Sequence, residues 1–209
     1  MKDFFNGLVS KIHEAVIEDF KDIQKQVGGE KIYAAVLATD SDCITLGLWV
    51  NTIEQMEKKD IEYGYNDFDA YLKSFERYNL SDEKMEKIKN GPPPTTKWTP
   101  DEWAYSSTKA GGTVDISKLL FDKNRTLYDE ANGSATDEIY DEFYSLFIET
   151  ATTAFRNLVQ ANAFGLVPED VTYFLYMTDD DRVNDIVKDS ANVLNATRVC
   201  EEFLKDSGF

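Results

Sequence analysis

The sequence predicts an α+β fold: a single domain over residues 1–209, with a small, mostly antiparallel central sheet of about three to five strands packed with several amphipathic helices. Three observations predict it. Apolar residues recur every three or four positions through most of the chain, the repeat of one buried helix face. Three short runs break that repeat, two of them apolar on both faces and one alternating, as strands do. The composition, 42% hydrophobic with 3 Trp, 11 Tyr and 13 Phe, supplies a core large enough to fold without disulfides or metal.

Phe4, Phe5, Leu8, Val9, Ile12, Val16, Ile17, Phe20 and Ile23 form the stripe of a first helix, which Gly28-Gly29 ends. Residues 31–39 read as a central strand covered on both sides, because both faces are apolar. Asp40-Ser41-Asp42 is a turn, and Cys43 to Val50 alternates with Ile44, Leu46, Leu48 and Val50 on one face. The two strands read as an antiparallel hairpin. Residues 52–90 hold short helical pieces, one over Asp67–Tyr78 and one capped by Ser81. Gly91-Pro92-Pro93-Pro94 is a rigid connector.

Trp98-Thr99-Pro100-Asp101-Glu102-Trp103 carries the strongest local signal. Thr99 is placed as an N-cap, Pro100 suits the first helical position, and Glu102 completes a capping box. Trp98 and Trp103 then form a hydrophobic staple at the start of a short helix. Ile116, Leu119, Leu120 and Leu127 mark another helix before the Asn132-Gly133 break. The longest helix is expected near 137–163, followed by a third strand over Val171–Met177 and helices over about 181–193 and 196–206.

The chain carries 39 acids and 22 bases, a net charge of −17. This excludes a nucleic-acid binder, since phosphate contacts need clustered Lys and Arg, and it argues against docking to anionic lipid. No leader and no apolar run near the roughly 20 residues of a membrane span is visible, so the expected compartment is the cytoplasm. The Asn-x-Ser/Thr triplets at Asn79, Asn124, Asn132 and Asn195 then carry no meaning. Cys43 and Cys200 are expected to be reduced and buried.

Chemistry-bearing motifs are sparse. The single histidine, His13, sits beside the apolar stripe of the first helix, and neither a zinc site nor a His-dependent triad can be assembled around it. No phosphate loop or dinucleotide fingerprint occurs, and no cofactor is implied. One carboxylate arrangement stands out: Asp40 and Asp42 follow the first strand, and Asp179, Asp180 and Asp181 follow the third. If those strand ends meet, Asp40, Asp42, Asp179 and Asp181 could hold Mg²⁺ or Ca²⁺ for a metal-dependent reaction; turn chemistry and a helix N-terminus explain the same acids without metal.

Acidity is concentrated in the second half of the chain. Between Arg125 and Arg156 seven acids occur and no Lys or Arg. Glu138, Glu142, Ser145 and Glu149 fall at helical steps on one polar face, with Asp141 nearby, and such a face attracts a basic partner and speeds encounter.

Tyr33-Ala-Ala-Val-Leu-Ala-Thr-Asp40 after an amphipathic helix, Trp98-Thr-Pro-Asp-Glu-Trp-Ala-Tyr105, and Phe143 to Gly165 followed by Val171-Thr-Tyr-Phe-Leu-Tyr-Met-Thr-Asp179 resemble a bacterial family, the domain of unknown function numbered 4303. The resemblance covers most of the chain in order. Residues 54–92 match least and read as an elaboration. The family brings no activity and no catalytic residues. Members of such small acidic bacterial families look like immunity proteins encoded beside toxins. The resulting expectation is a non-catalytic protein-binding domain that neutralises a basic toxin domain, with a divalent-metal enzyme as the alternative.

Overall fold

In a computed structural model, residues 1–75, 78, 80–91, 93–107, 111–131 and 137–209 are described. Asn79, Pro92 and the Asn132-Gly133 break lie outside the described residues, as does part of the expected Asp67–Tyr78 helix. The first helix, α1 (Lys2–Val27), buries Phe5, Leu8, Ile12, Val16, Phe20 and Ile23 on one face and ends at Gly28, whose φ of 63° suits a residue without a Cβ. Strand β1 (Ile32–Thr39) is buried at all eight positions. It is central: β2 (Gly47–Thr52) pairs with it antiparallel on one side and β4 (Thr172–Met177) parallel on the other. The strand β3 (Tyr105–Ser106) extends the sheet beyond β2, giving the order β3-β2-β1-β4. The sheet is therefore mixed, with two antiparallel pairings and one parallel.

Three helices, α2 (Ile53–Glu62), α3 (Phe68–Ser74) and α4 (Asp82–Lys89), follow β2 and bury no residue fully. Aromatic contacts run along this segment from Tyr63 through Tyr65, Tyr71 and Phe75 to Tyr78. The expected Ser81 cap is present, accepting from the Lys84 amide at 3.4 Å, and Asp67 also caps α3, accepting from the Ala70 amide at 3.0 Å. Next come α5 (Gly112–Glu130) and α6 (Asp137–Gln160) before β4, then α7 (Val183–Leu194) and α8 (Thr197–Ser207). At 26 residues α1 is longer than α6, which has 24.

Alternate residues of the strands feed two cores. Ala35, Leu37, Leu48, Val50, Leu175 and Met177 face α1, α5 and α6; Ala34, Val36 and Phe174 face α7, α8 and the tryptophan segment. A parallel strand covered on both faces needs apolar residues at every position, which is why residues 32–39 and 171–177 lack alternation.

Three expectations need correction. Cys43 to Leu46 is not strand. Cys43 has a φ of 57° in a turn closed by the Asp40 carboxylate, which accepts from the Ile44 amide at 2.9 Å, and Leu46 donates to Ser117 Oγ instead of to a strand. The capping box at Thr99 does not form: Pro100–Glu102 is a single 3-10 turn with no side-chain cap. Glu102 turns away to accept from Tyr63 Oη at 2.5 Å and to pair with Lys59 at 3.4 Å. Trp98 and Trp103 do not serve a helix start; each packs edge-on against Tyr33 and Phe174 in the second core.

One buried charge ties the first core together. Asp19 of α1 is 2% exposed and caps the N-terminus of α5 from a distance of 93 positions in sequence. It accepts from the Gly112 amide at 2.6 Å, the Thr113 amide at 3.1 Å and the Thr113 hydroxyl at 2.5 Å. A Cβ on Gly112 would stand 2.6 Å from Ala15 Cα, and one on Gly111 would collide with the Asp19 carboxylate, so the approach requires both glycines. Asp19→Ala removes the acceptor shared by the Gly112 and Thr113 amides and the Thr113 hydroxyl; urea unfolding should show a loss of about 3 kcal/mol. Gly111→Ala, at φ +127°, should lose a comparable amount, whereas Gly29→Ala, with open space around it, should change little.

Candidate interaction surface

The sequence-predicted acids of α6 reach the surface together. Glu138, Asp141, Glu142 and Glu149 are all exposed, while Phe143, Phe147, Thr150, Ala151 and Ala154 bury the opposite face. The helix amphipathicity forces this separation: once the aromatic stripe is buried, the acids three and four positions apart have only solvent to face. Among the described residues none of these four carboxylates enters an ion pair.

Ser145, in line with that acidic stripe, also lines an open groove of about 380 Å³ between α6 and α7. Tyr144, Ile148 and Thr152 form one wall; Ile186, Val193, Asp185 and Asp189 belong to the other. Arg182 closes one end. Its guanidinium lies 3.8 Å from the Tyr144 ring centroid and pairs with Asp180 at 2.6 Å. That pairing holds the Asp180 carboxyl below the usual carboxylate range. Nothing in the local pattern marked the groove, because its walls come from helices separated in sequence by β4.

The other acidic constellation does not converge. Parallel pairing does bring the ends of β1 and β4 together, with the Thr178 amide donating to Thr39 O at 2.9 Å. However, Asp40 is engaged with its own turn, Asp42, Asp179 and Asp181 are exposed, and Asp180 is bound to Arg182. Among the described residues no three His, Cys, Asp or Glu side chains stand close enough to hold a metal ion. Cys43 is buried between the same loops, and burial pushes its thiol well above the ordinary value; Cys200 is also buried and raised. The phenol of Tyr140 donates to the Ser41 carbonyl and braces the Asp40 turn.

The tryptophan segment acts as a polar hub. Lys97 O accepts from Tyr33 Oη at 2.6 Å and from Trp103 Nε1 at 3.2 Å. Asp206 of α8 accepts from Lys97 Nζ at 2.6 Å and Trp98 Nε1 at 2.9 Å. Asp60 of α2 accepts from the Thr96 amide at 2.6 Å and both neighbouring hydroxyls, and Asp101 accepts from Tyr176 Oη at 2.8 Å. Each carboxylate recruits a different element, so the segment closes the second face of the sheet. The space beside it, about 210 Å³, is lined by Tyr33, Trp98, Thr172 and Phe203.

The fold and surface thus define an α+β protein that presents an exposed acidic helix face beside an open groove. The chain belongs to the family described as domain of unknown function (DUF4303), whose model matches residues 12–196 and runs through the segment 54–92. No curated protein and no solved structure matches the chain. No helix of the described residues is long and apolar enough to cross a membrane.

Two measurements follow from the titratable groups. Glu30, held down first by the Thr52 hydroxyl and then by that of Tyr105, and Asp206, held down by Lys97, have depressed folded-state values. Their stabilisation is present above the ordinary carboxylate range and is lost as pH falls through the folded-state values. Tm should therefore fall on acidification below about pH 4.5, and the Glu30→Gln, Asp206→Asn double variant should show a shallower acid limb. Both thiols should resist a disulfide-exchange reagent in the native protein and react within minutes in urea; rapid native labelling of Cys43 would contradict its burial.

Proposed function

We propose that this chain is a non-catalytic, cytoplasmic protein-binding domain that uses the acidic face of α6 to engage a basic protein, in the manner of an immunity protein neutralising a basic toxin domain. One observation carries the reading: Glu138, Asp141, Glu142 and Glu149 share one exposed helix face with no cation paired to them among the described residues. Like charges at helical spacing cost stability, so the face is tuned for something outside the helix. A net charge of −17 adds a long-range field of the same sign.

The burial and raised values of both thiols weigh against covalent catalysis by cysteine. The metal-dependent alternative draws no support from Asp40, Asp42, Asp179 and Asp181, which do not cluster. Electrostatic steering makes the reading quantitative. The Glu138→Lys, Glu142→Lys, Glu149→Lys triple variant should slow association with the basic partner by at least about tenfold at low salt and flatten its salt dependence. Stopped-flow or surface-binding kinetics with a partner captured from the native host measures this. An unchanged rate removes the α6 face from the interaction, and a capture that recovers no basic protein counts against the reading itself.

A further inference from the structure

We propose that the groove between α6 and α7 is the docking site for a basic amphipathic helix of the partner, an inference that rests on the protein-binding reading and names the chemistry of its contact. The groove is apolar where a helix would lie: Tyr144, Ile148, Ile186 and Val193 contribute to it, and Val193 is 44% exposed. Its borders are acidic from both sides. Asp185 and Asp189 stand one turn apart on α7, and the stripe through Ser145 brings Glu138, Glu142 and Glu149 along α6. Asp185 has a local reason to be there, since the first turn of a helix favours an acid; Asp189 is a turn further on and has none. Among the described residues the one cation lining the groove, Arg182, is already paired with Asp180 and stacked on Tyr144, so the net field of these groups at the groove is negative.

These features fit one occupant. An amphipathic helix laid in a groove anchors through apolar side chains at i, i+3, i+4 and i+7, and flanking Lys and Arg then meet the acidic borders. The volume, about 380 Å³, has room for a few such side chains. A second groove of similar size, about 390 Å³ between α5 and the β1–β2 turn, exposes Phe121, but its lining charges, Lys118 and Asp122, balance and specify no partner.

The test uses the full chain and a labelled synthetic Leu/Lys peptide of about 18 residues, roughly five helical turns, against a scrambled peptide of identical composition. Anisotropy titrations at low salt should give at least tenfold tighter binding of the amphipathic peptide, and amide shift changes should map to α6 and α7. Val193→Asp, at an exposed position that keeps the fold, should weaken binding at least tenfold; Asp185→Asn with Asp189→Asn should weaken it several-fold and reduce the salt slope. Phe121→Asp should bind as the parent does. Equal binding of the scrambled peptide, or full binding by Val193→Asp while the α6 triple variant loses it, would overturn the groove and leave the acidic-face reading standing. No binding of either peptide also overturns the groove, and the host capture then decides the wider reading on its own.

Discussion

The Asp19 carboxylate is the point on which the first core closes. It is a buried carboxyl on the apolar face of α1, and it is tolerated because three donors from the start of α5 satisfy its oxygens. The consequence spreads through Thr113. Its hydroxyl also contacts Ser107 Oγ at 2.8 Å, and Ser107 Oγ accepts from the Leu48 amide at 2.8 Å on β2. One turn later Ser117 exchanges bonds with Leu46. A single acid thus fixes the angle between α1 and α5 and, through two hydroxyls, the outer edge of β2. The two-residue β3 pairs only Trp49 and Val50 of β2, and nearby amides on that side, Leu48 and Leu46, donate to the Ser107 and Ser117 hydroxyls.

The second face of the sheet is closed differently. Where the first core relies on one buried charge, the second uses carboxylates nearer the surface, each fastening the 95–103 segment to another element: Asp60 from α2, Asp206 from α8, and Asp101 to Tyr176 of β4. The aromatic cluster of Tyr33, Trp98, Trp103, Phe174 and Phe203 lies beneath them. The acids of the 95–103 network and those of the α6 face therefore differ. Those in the fastening network are paired and depressed where they meet a cation; Glu138, Asp141, Glu142 and Glu149 of α6 enter no ion pair among the described residues. That difference supports placing an interaction surface on α6 and α7 and not on the strand-end loops, where Asp40 and Asp180 bond within their own turns.

The elements readable in the chain are those whose cause is local. The stripe from Phe5 to Ile23 needs only the helical period, and the doubly apolar runs of β1 and β4 need only the rule that a strand covered on both faces has no polar side. The α6 acids were legible for the same reason, because a helix whose aromatic stripe is known has its polar face determined as well. Elsewhere a local signal meets a non-local competitor. Thr99, Pro100 and Glu102 have the spacing of a capping box, but Glu102 pairs with Tyr63 and Lys59, the Thr99 amide donates to the Thr96 carbonyl, and only one 3-10 turn forms. Cys43 to Leu46 alternates as a strand does, but the Asp40 carboxylate and Ser117 took its backbone groups.

Period and composition were therefore enough for the α+β class, the positions of α1, β1, α6 and β4, the burial of both cysteines and the exposure of the acidic α6 face. The parallel seat of β4 beside β1, the two-residue β3, the burial of Asp19 at the start of α5 and the groove between α6 and α7 arose from pairings across long stretches of chain. Such pairings depend on which distant donor or apolar face finds a partner once the sheet has formed. A side chain's partner 93 positions away leaves no trace in the spacing of its neighbours.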